Sequence, residues 1–168
     1  QFLFRKRFKM TLVVTELSHI GIVMAADSAI TKIKNGKIVE IDQQGWKKLL
    51  EVQSINAGIS YWGLIGAITS KRFDEWLQDV IKRSSYTDLS TFADCLVDAL
   101  NDACHGKPLK KGDDVGIHVA GYSTWADGHH RPTIYHVHNG HGRMDFGEQR
   151  DERGYLTLNP SWKSDDRK

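Results

Sequence analysis

Residues 11–28, TLVVTELSHIGIVMAADS, constrain what this chain can fold into more than any other stretch. Two apolar runs, 11–15 and 20–26, flank a polar break at 16–19. The first run is rich in β-branched residues and the second is continuously apolar, so the pattern predicts two strands of a hairpin, the second of them buried. That second run stops at a carboxylate and a hydroxyl, Asp27 and Ser28. An ionised carboxylate at the end of a buried strand needs a partner, because an unpaired charge withdrawn from water is costly. The hairpin is therefore expected to deliver an acid beside Thr11.

The rest of the composition bounds the class. A chain of 168 residues with 40% apolar and 26% charged residues supports one globular domain with an adequate core. The formal net charge of +2 comes from the first ten residues, where Arg5, Lys6, Arg7 and Lys9 lie. Without those four, 19 basic residues face 21 acidic ones, so the domain proper carries about −2 and offers no basic face for nucleic acid. Cys95 and Cys104 are too few and too close for a secreted disulfide framework, which points to a reducing, cytoplasmic compartment. No apolar run approaches a membrane span, and the charges of QFLFRKRFK interrupt its apolar residues, unlike a signal peptide. Residues 1–10 read as a leader or cloning remnant, with Met10 as the expected start.

Further along, Asn35-Gly36 is a strong two-residue hairpin signal between 31–34 and 37–41. Lys47 and Lys48 then lead Leu49, Leu50 and Val52, and strand alternation sends one lysine to each face. Lys48 is the one expected to enter a core-side cleft. Taken alone, either lysine would read as a solvated strand end. A strand at 59–62 precedes a helix whose Phe73, Trp76, Leu77, Val80 and Ile81 form one apolar face. A second helix is expected after Asp88, with Phe92, Leu96, Ala99, Leu100 and Ala103 on its apolar face and Asp88 or Ser90 as N-cap. The runs VGIHVAGYS and PTIYHVH predict two more strands joined by a loop at 124–131. From Gly140 onward no sustained period remains, and no element is assigned. This order of strand pairs, two helices and a strand pair suggests an α+β layered fold.

Four places together resemble the β-type subunits of the proteasome and their bacterial relatives, which are N-terminal-nucleophile hydrolases. Thr11 opens the first strand, GIVMAADS carries Asp27 and Ser28, KKLLEV carries Lys47 and Lys48, and WGLIGA carries Gly63 and Gly66 before a helix. Their order and spacing match the family, with an insertion around 34–44. The resemblance implies a four-layer αββα sandwich, two antiparallel sheets between two helical layers. It covers residues 11–142, taken as the hydrolase domain, and leaves 143–168 unassigned. The family's further helices and its glycine-serine-glycine loop find no counterpart there, so the fold is expected to be incomplete at its C-terminus. Ala67 also departs from the pattern, standing where the family usually has an acid.

The chemistry follows from residue types. A hydroxyl that cleaves an amide needs a base, and an N-terminal threonine supplies its own α-amine, which titrates at about 7.7–8.0. The Lys48 ammonium would keep that amine neutral, Asp27 would hold the lysine, and a Gly63 backbone amide would receive the oxyanion. The scheme works only when Thr11 is the first residue. Five histidines between 129 and 141 form a competing signal, and His136 and His138 share one strand face as two metal ligands would. Without a cysteine pair or an HExxH helix, no metal and no cofactor is assigned. The expected function is a threonine-type peptidase acting on peptide or unfolded protein. The resemblance adds a homo-oligomeric ring and a separate ring ATPase as partners. A silent structural subunit and a small-molecule amidase are the alternatives, since a nucleophile constellation fixes the reaction and leaves the substrate open.

Overall fold

The computed structural model describes residues 11–18, 20–34, 37–42, 45–63, 65–104, 115–139 and 155–157. Strands β1 (Val13–Ser18) and β2 (Gly21–Ala26) form an antiparallel two-stranded ribbon, with Val13 opposite Ala26 and Thr15 opposite Met24. A second ribbon pairs β3 (Ile30–Lys34) with β4 (Lys37–Asp42) on either side of Asn35 and Gly36, which lie outside the described residues. The remaining strands are β5 (Leu49–Val52), β6 (Ala57–Gly63), β7 (Val115–Thr124), β8 (His130–His138) and β9 (Tyr155–Thr157). They form one antiparallel sheet in the order β5-β6-β7-β8-β9. Between β6 and β7 the chain makes helices α1 (Phe73–Arg83) and α2 (Leu89–Cys104).

The period of each segment explains which face it buries. Leu50, Val52, Ala57, Ile59, Tyr61, Val115, Ile117, Val119 and Val137 share one face of the five-stranded sheet, and both helices pack on it. From α1 come Phe73, Leu77 and Val80, and from α2 Leu89, Phe92, Leu96, Val97 and Leu100. Each fully buried Leu or Phe contributes about 1.5–3 kcal/mol, so this single apolar layer dominates the fold's stability. Asp88 caps α2, its Oδ1 accepting the Thr91 amide at 2.8 Å. On the opposite sheet face, Ser60 and Trp62 of β6, Gly116 and His118 of β7, and His136 and His138 of β8 line up across the strands. The β1–β2 ribbon lies over this second face. A Cβ at Gly58 would meet Met24 Sδ at 2.6 Å.

The expected α+β four-layer αββα sandwich is not what the described residues form. They are mostly antiparallel β structure with only two α-helices, both on one face of one sheet. Helical period is confined to 73–83 and 89–104, so nothing described supplies a second helical layer, and separate ribbons stand where a second full sheet was expected. Three local expectations also change. The run 20–26 forms a strand, but not a buried one: Val23 is 64% exposed and Val14 46%, because only one face of the ribbon meets the sheet. The strands β7 and β8 extend to Thr124 and His130, shortening the expected loop. Part of the unassigned tail is β9, three residues paired with Tyr135, His136 and Val137.

Candidate active site

The site begins where β2 ends. Asp27 grips Leu12 twice: the Asp27 amide donates to the Leu12 carbonyl at 3.0 Å, and the Leu12 amide donates to Asp27 Oδ1 at 3.1 Å. This closes the open end of the ribbon and fixes the residue next to Thr11, which itself is exposed and precedes β1. The same Oδ1 accepts from Lys48 Nζ at 2.9 Å, and Nζ also donates to the Ala29 carbonyl at 2.5 Å. Two of the three ammonium N–H groups are thereby used. The Lys48 side chain is 3% exposed and that of Asp27 31%, so the ion pair spans the boundary between interior and solvent.

The lysine is delivered by packing from α1. Lys47 and Lys48 precede β5 rather than open it, and Lys47 is exposed. The Lys47 amide donates to Asp74 Oδ2 at 3.1 Å, and Arg72 donates to both Asp74 carboxylate oxygens, at 3.1 Å from Nε and 2.6 Å from its terminal nitrogen. Burial alone would raise the buried Asp74 carboxyl, but the Arg72 hydrogen bonds and the Lys47 amide outweigh it and hold the group below the ordinary carboxylate range. Arg72 also stacks over Trp46, 4.9 Å from the ring centroid. Asp74 thus pins the backbone that carries Lys48.

Gly63 sits elsewhere in the sheet, at the end of β6 opposite Val115. Its φ of 100° is one that side-chain-bearing residues rarely adopt, and the residue is exposed. The hydrogen bonds joining Leu12, Asp27, Ala29 and Lys48 do not extend to it among the described residues. Gly66 has open space where a Cβ would stand. The open groove of about 480 Å³ between β5 and α1, lined by Lys47, Leu49, Glu51, Ile81 and Tyr86, includes none of Thr11, Asp27, Lys48 or Gly63.

The histidines divide. His129 and His130 are exposed at the β7–β8 turn, and His141 lies outside the described residues. The rings of His136 and His138 lie tilted against each other with centroids 4.4 Å apart. Among the described residues no group of three His, Cys, Asp or Glu side chains is arranged to hold a metal ion. Sequence reasoning missed His118, whose Nδ1 lies 3.0 Å from Thr15 Oγ1 across 103 residues. The one available signal was its place in VGIHVAGYS, where a polar residue interrupts an apolar strand.

Comparison with protein-family models, curated proteins and solved structures finds no match. Among the described residues no helix is long and apolar enough to cross a membrane.

Proposed function

We propose that the chain is a threonine-type peptidase of the proteasome-like kind, cutting peptide bonds with the Thr11 hydroxyl once Thr11 is the first residue. The observation that carries this reading is one carboxylate oxygen, Asp27 Oδ1, that accepts both the Lys48 ammonium at 2.9 Å and the amide of Thr11's neighbour Leu12 at 3.1 Å. A buried cation held one residue from a free Thr11 amine disfavours protonation of that amine, which then takes the hydroxyl proton, directly or through one water. The hydroxyl oxygen attacks the scissile carbonyl, and the protonated Thr11 amine passes its proton to the substrate nitrogen as the C–N bond breaks. Water then hydrolyses the ester left on the Thr11 oxygen. In this reading a backbone amide at Gly63 receives the oxyanion. In this reading the substrate is peptide or unfolded protein, the partners are further copies in a ring and a ring ATPase, and the place is the cytoplasm, in keeping with free Cys95 and Cys104.

The test is hydrolysis of a fluorogenic peptide panel by protein that begins at Thr11. Lys48→Ala should lower kcat/KM by about 10²-fold or more, the scale of a lost acid–base contribution, with the fold retained by circular dichroism. Lys48→Arg should restore little, because a planar guanidinium cannot replace a compact ammonium. Exposed Lys47→Ala should stay within about two-fold, since its contact with Asp74 uses the backbone. Full activity in folded Lys48→Ala ends the assignment, and an inactive parent with an N-terminal Thr11 favours a silent structural subunit.

A further inference from the structure

We infer that the β1–β2 ribbon is an acid-sensitive latch, undocked from the five-stranded sheet by protonation of His118, against which it rests. This stands independently of the peptidase reading. The cluster around His118 is built from three strands. Trp62 lies edge-to-face with His118 at 4.8 Å and tilted against His136 at 5.0 Å, and the His118 and His136 rings are 5.2 Å apart. His138 lies tilted beyond His136 at 4.4 Å, and Trp62 fills the space over Gly116. Thr15, from the inward face of β1, hydrogen-bonds His118.

Among the described residues, the groups facing His118 are Thr15 from β1, Ser60 and Trp62 from β6, and His136 from β8. The Ser60 hydroxyl is buried without a hydrogen-bond partner among the described residues. None of these carries a negative charge that could neutralise an imidazolium at His118. Burial accordingly holds the His118 pKa below its ordinary 6.5. A proton at His118 is therefore taken up more readily when the ribbon has lifted and water can reach the ring.

The ribbon is the element free to respond. Its inward residues Val13, Thr15, Leu17, Ile22, Met24 and Ala26 are only half-buried, whereas the helix side of the sheet is closed to water. An isolated two-stranded hairpin is marginal in water, so this one depends on docking, and elements with few buried contacts open before the core. The sign follows from the direction of the shift. A depressed histidine pKa leaves docking at full strength above about pH 6.5 and weakens it as pH falls below that value. One proton taken up with an open-state pKa of about 6.5 raises the opening constant by up to about 30-fold between pH 7.5 and 5.0.

The experiment is amide hydrogen exchange by mass spectrometry on the full chain between pH 5.0 and 7.5, corrected for intrinsic exchange. Peptides from 12–26 report the ribbon, and peptides from α1 and α2 report the core. The opening constant of the ribbon should rise as pH falls from 6.5 to 5.0, by no more than about 30-fold, while the helices change by less than about three-fold, and His118→Gln should abolish most of the dependence. A flat ribbon, an equal change in the helices, or full pH dependence in folded His118→Gln overturns the latch. Should His118→Gln fail to fold, NMR titration of the native His118 ring decides. Its midpoint should lie below 6.5, and a midpoint at or above 6.5 overturns the proposal.

Discussion

Asp27 and Lys48 make one ion pair, yet removing them should cost different amounts. In Asp27→Ala the ammonium stays behind in a side chain that is 3% exposed, with the Ala29 carbonyl as its remaining acceptor. Breaking a buried pair so that a charge is left uncompensated costs about 3–5 kcal/mol. The lost bond to the Leu12 amide adds roughly 1 kcal/mol. In Lys48→Met the stem is kept and the orphan is the Asp27 carboxylate, which is 31% exposed and still accepts from Leu12. Water solvates part of that charge, so the cost should be about 1–2 kcal/mol. The two variants should therefore differ by at least about 2 kcal/mol in urea unfolding followed by tryptophan fluorescence at neutral pH. The double variant should be more stable than Asp27→Ala alone, because no buried ammonium remains to be compensated. Equal costs for the two single variants, or a cost below about 1 kcal/mol for Asp27→Ala, would refute the picture of a buried lysine held by a half-solvated acid.

Two further outcomes test the scaffold. A Cβ at Gly116 would fall inside the Trp62 indole, so Gly116→Ala should destabilise by about 1–3 kcal/mol and change the near-ultraviolet circular dichroism of the displaced tryptophan. Asp74 is held below its ordinary 3.8, so its contribution is complete above that value and lost as pH falls through the lower folded value. Acid unfolding of the native chain should therefore steepen below about pH 3.8, well under the range of the histidine latch, and Asp74→Asn should flatten that limb.

Much of the local structure was legible in the chain. The apolar period over 73–83 and after Asp88 marks α1 and α2, because a repeat of 3.6 leaves one face to bury, and Asp88 is the cap that its position suggests. Asn35-Gly36 separates β3 from β4 as such a dipeptide should. Less of the architecture could be read. An apolar run at 20–26 carries no information on whether one face or two will be covered, and here a two-stranded ribbon leaves Val23 in water. Three residues at 155–157 are too short to show a period, and β8 recruits them into the sheet.

The candidate site divides in the same way. Residue type alone marks Asp27 as a charge in need of a partner and Lys47 or Lys48 as a candidate for it. Strand alternation lets only one of them face inward, and Lys48 is the expected one. What tertiary structure supplies is the contacts, with Asp74 at the start of α1 taking the Lys47 amide and Lys48 Nζ reaching Asp27 and Ala29. The bond from Thr15 to His118, and the meeting of Trp62, His118 and His136, join segments far apart in sequence. Period two assigns each of these side chains to a face of its own strand. Which faces then meet depends on how ribbon, sheet and helices share one apolar core, and that packing is a property of the whole fold.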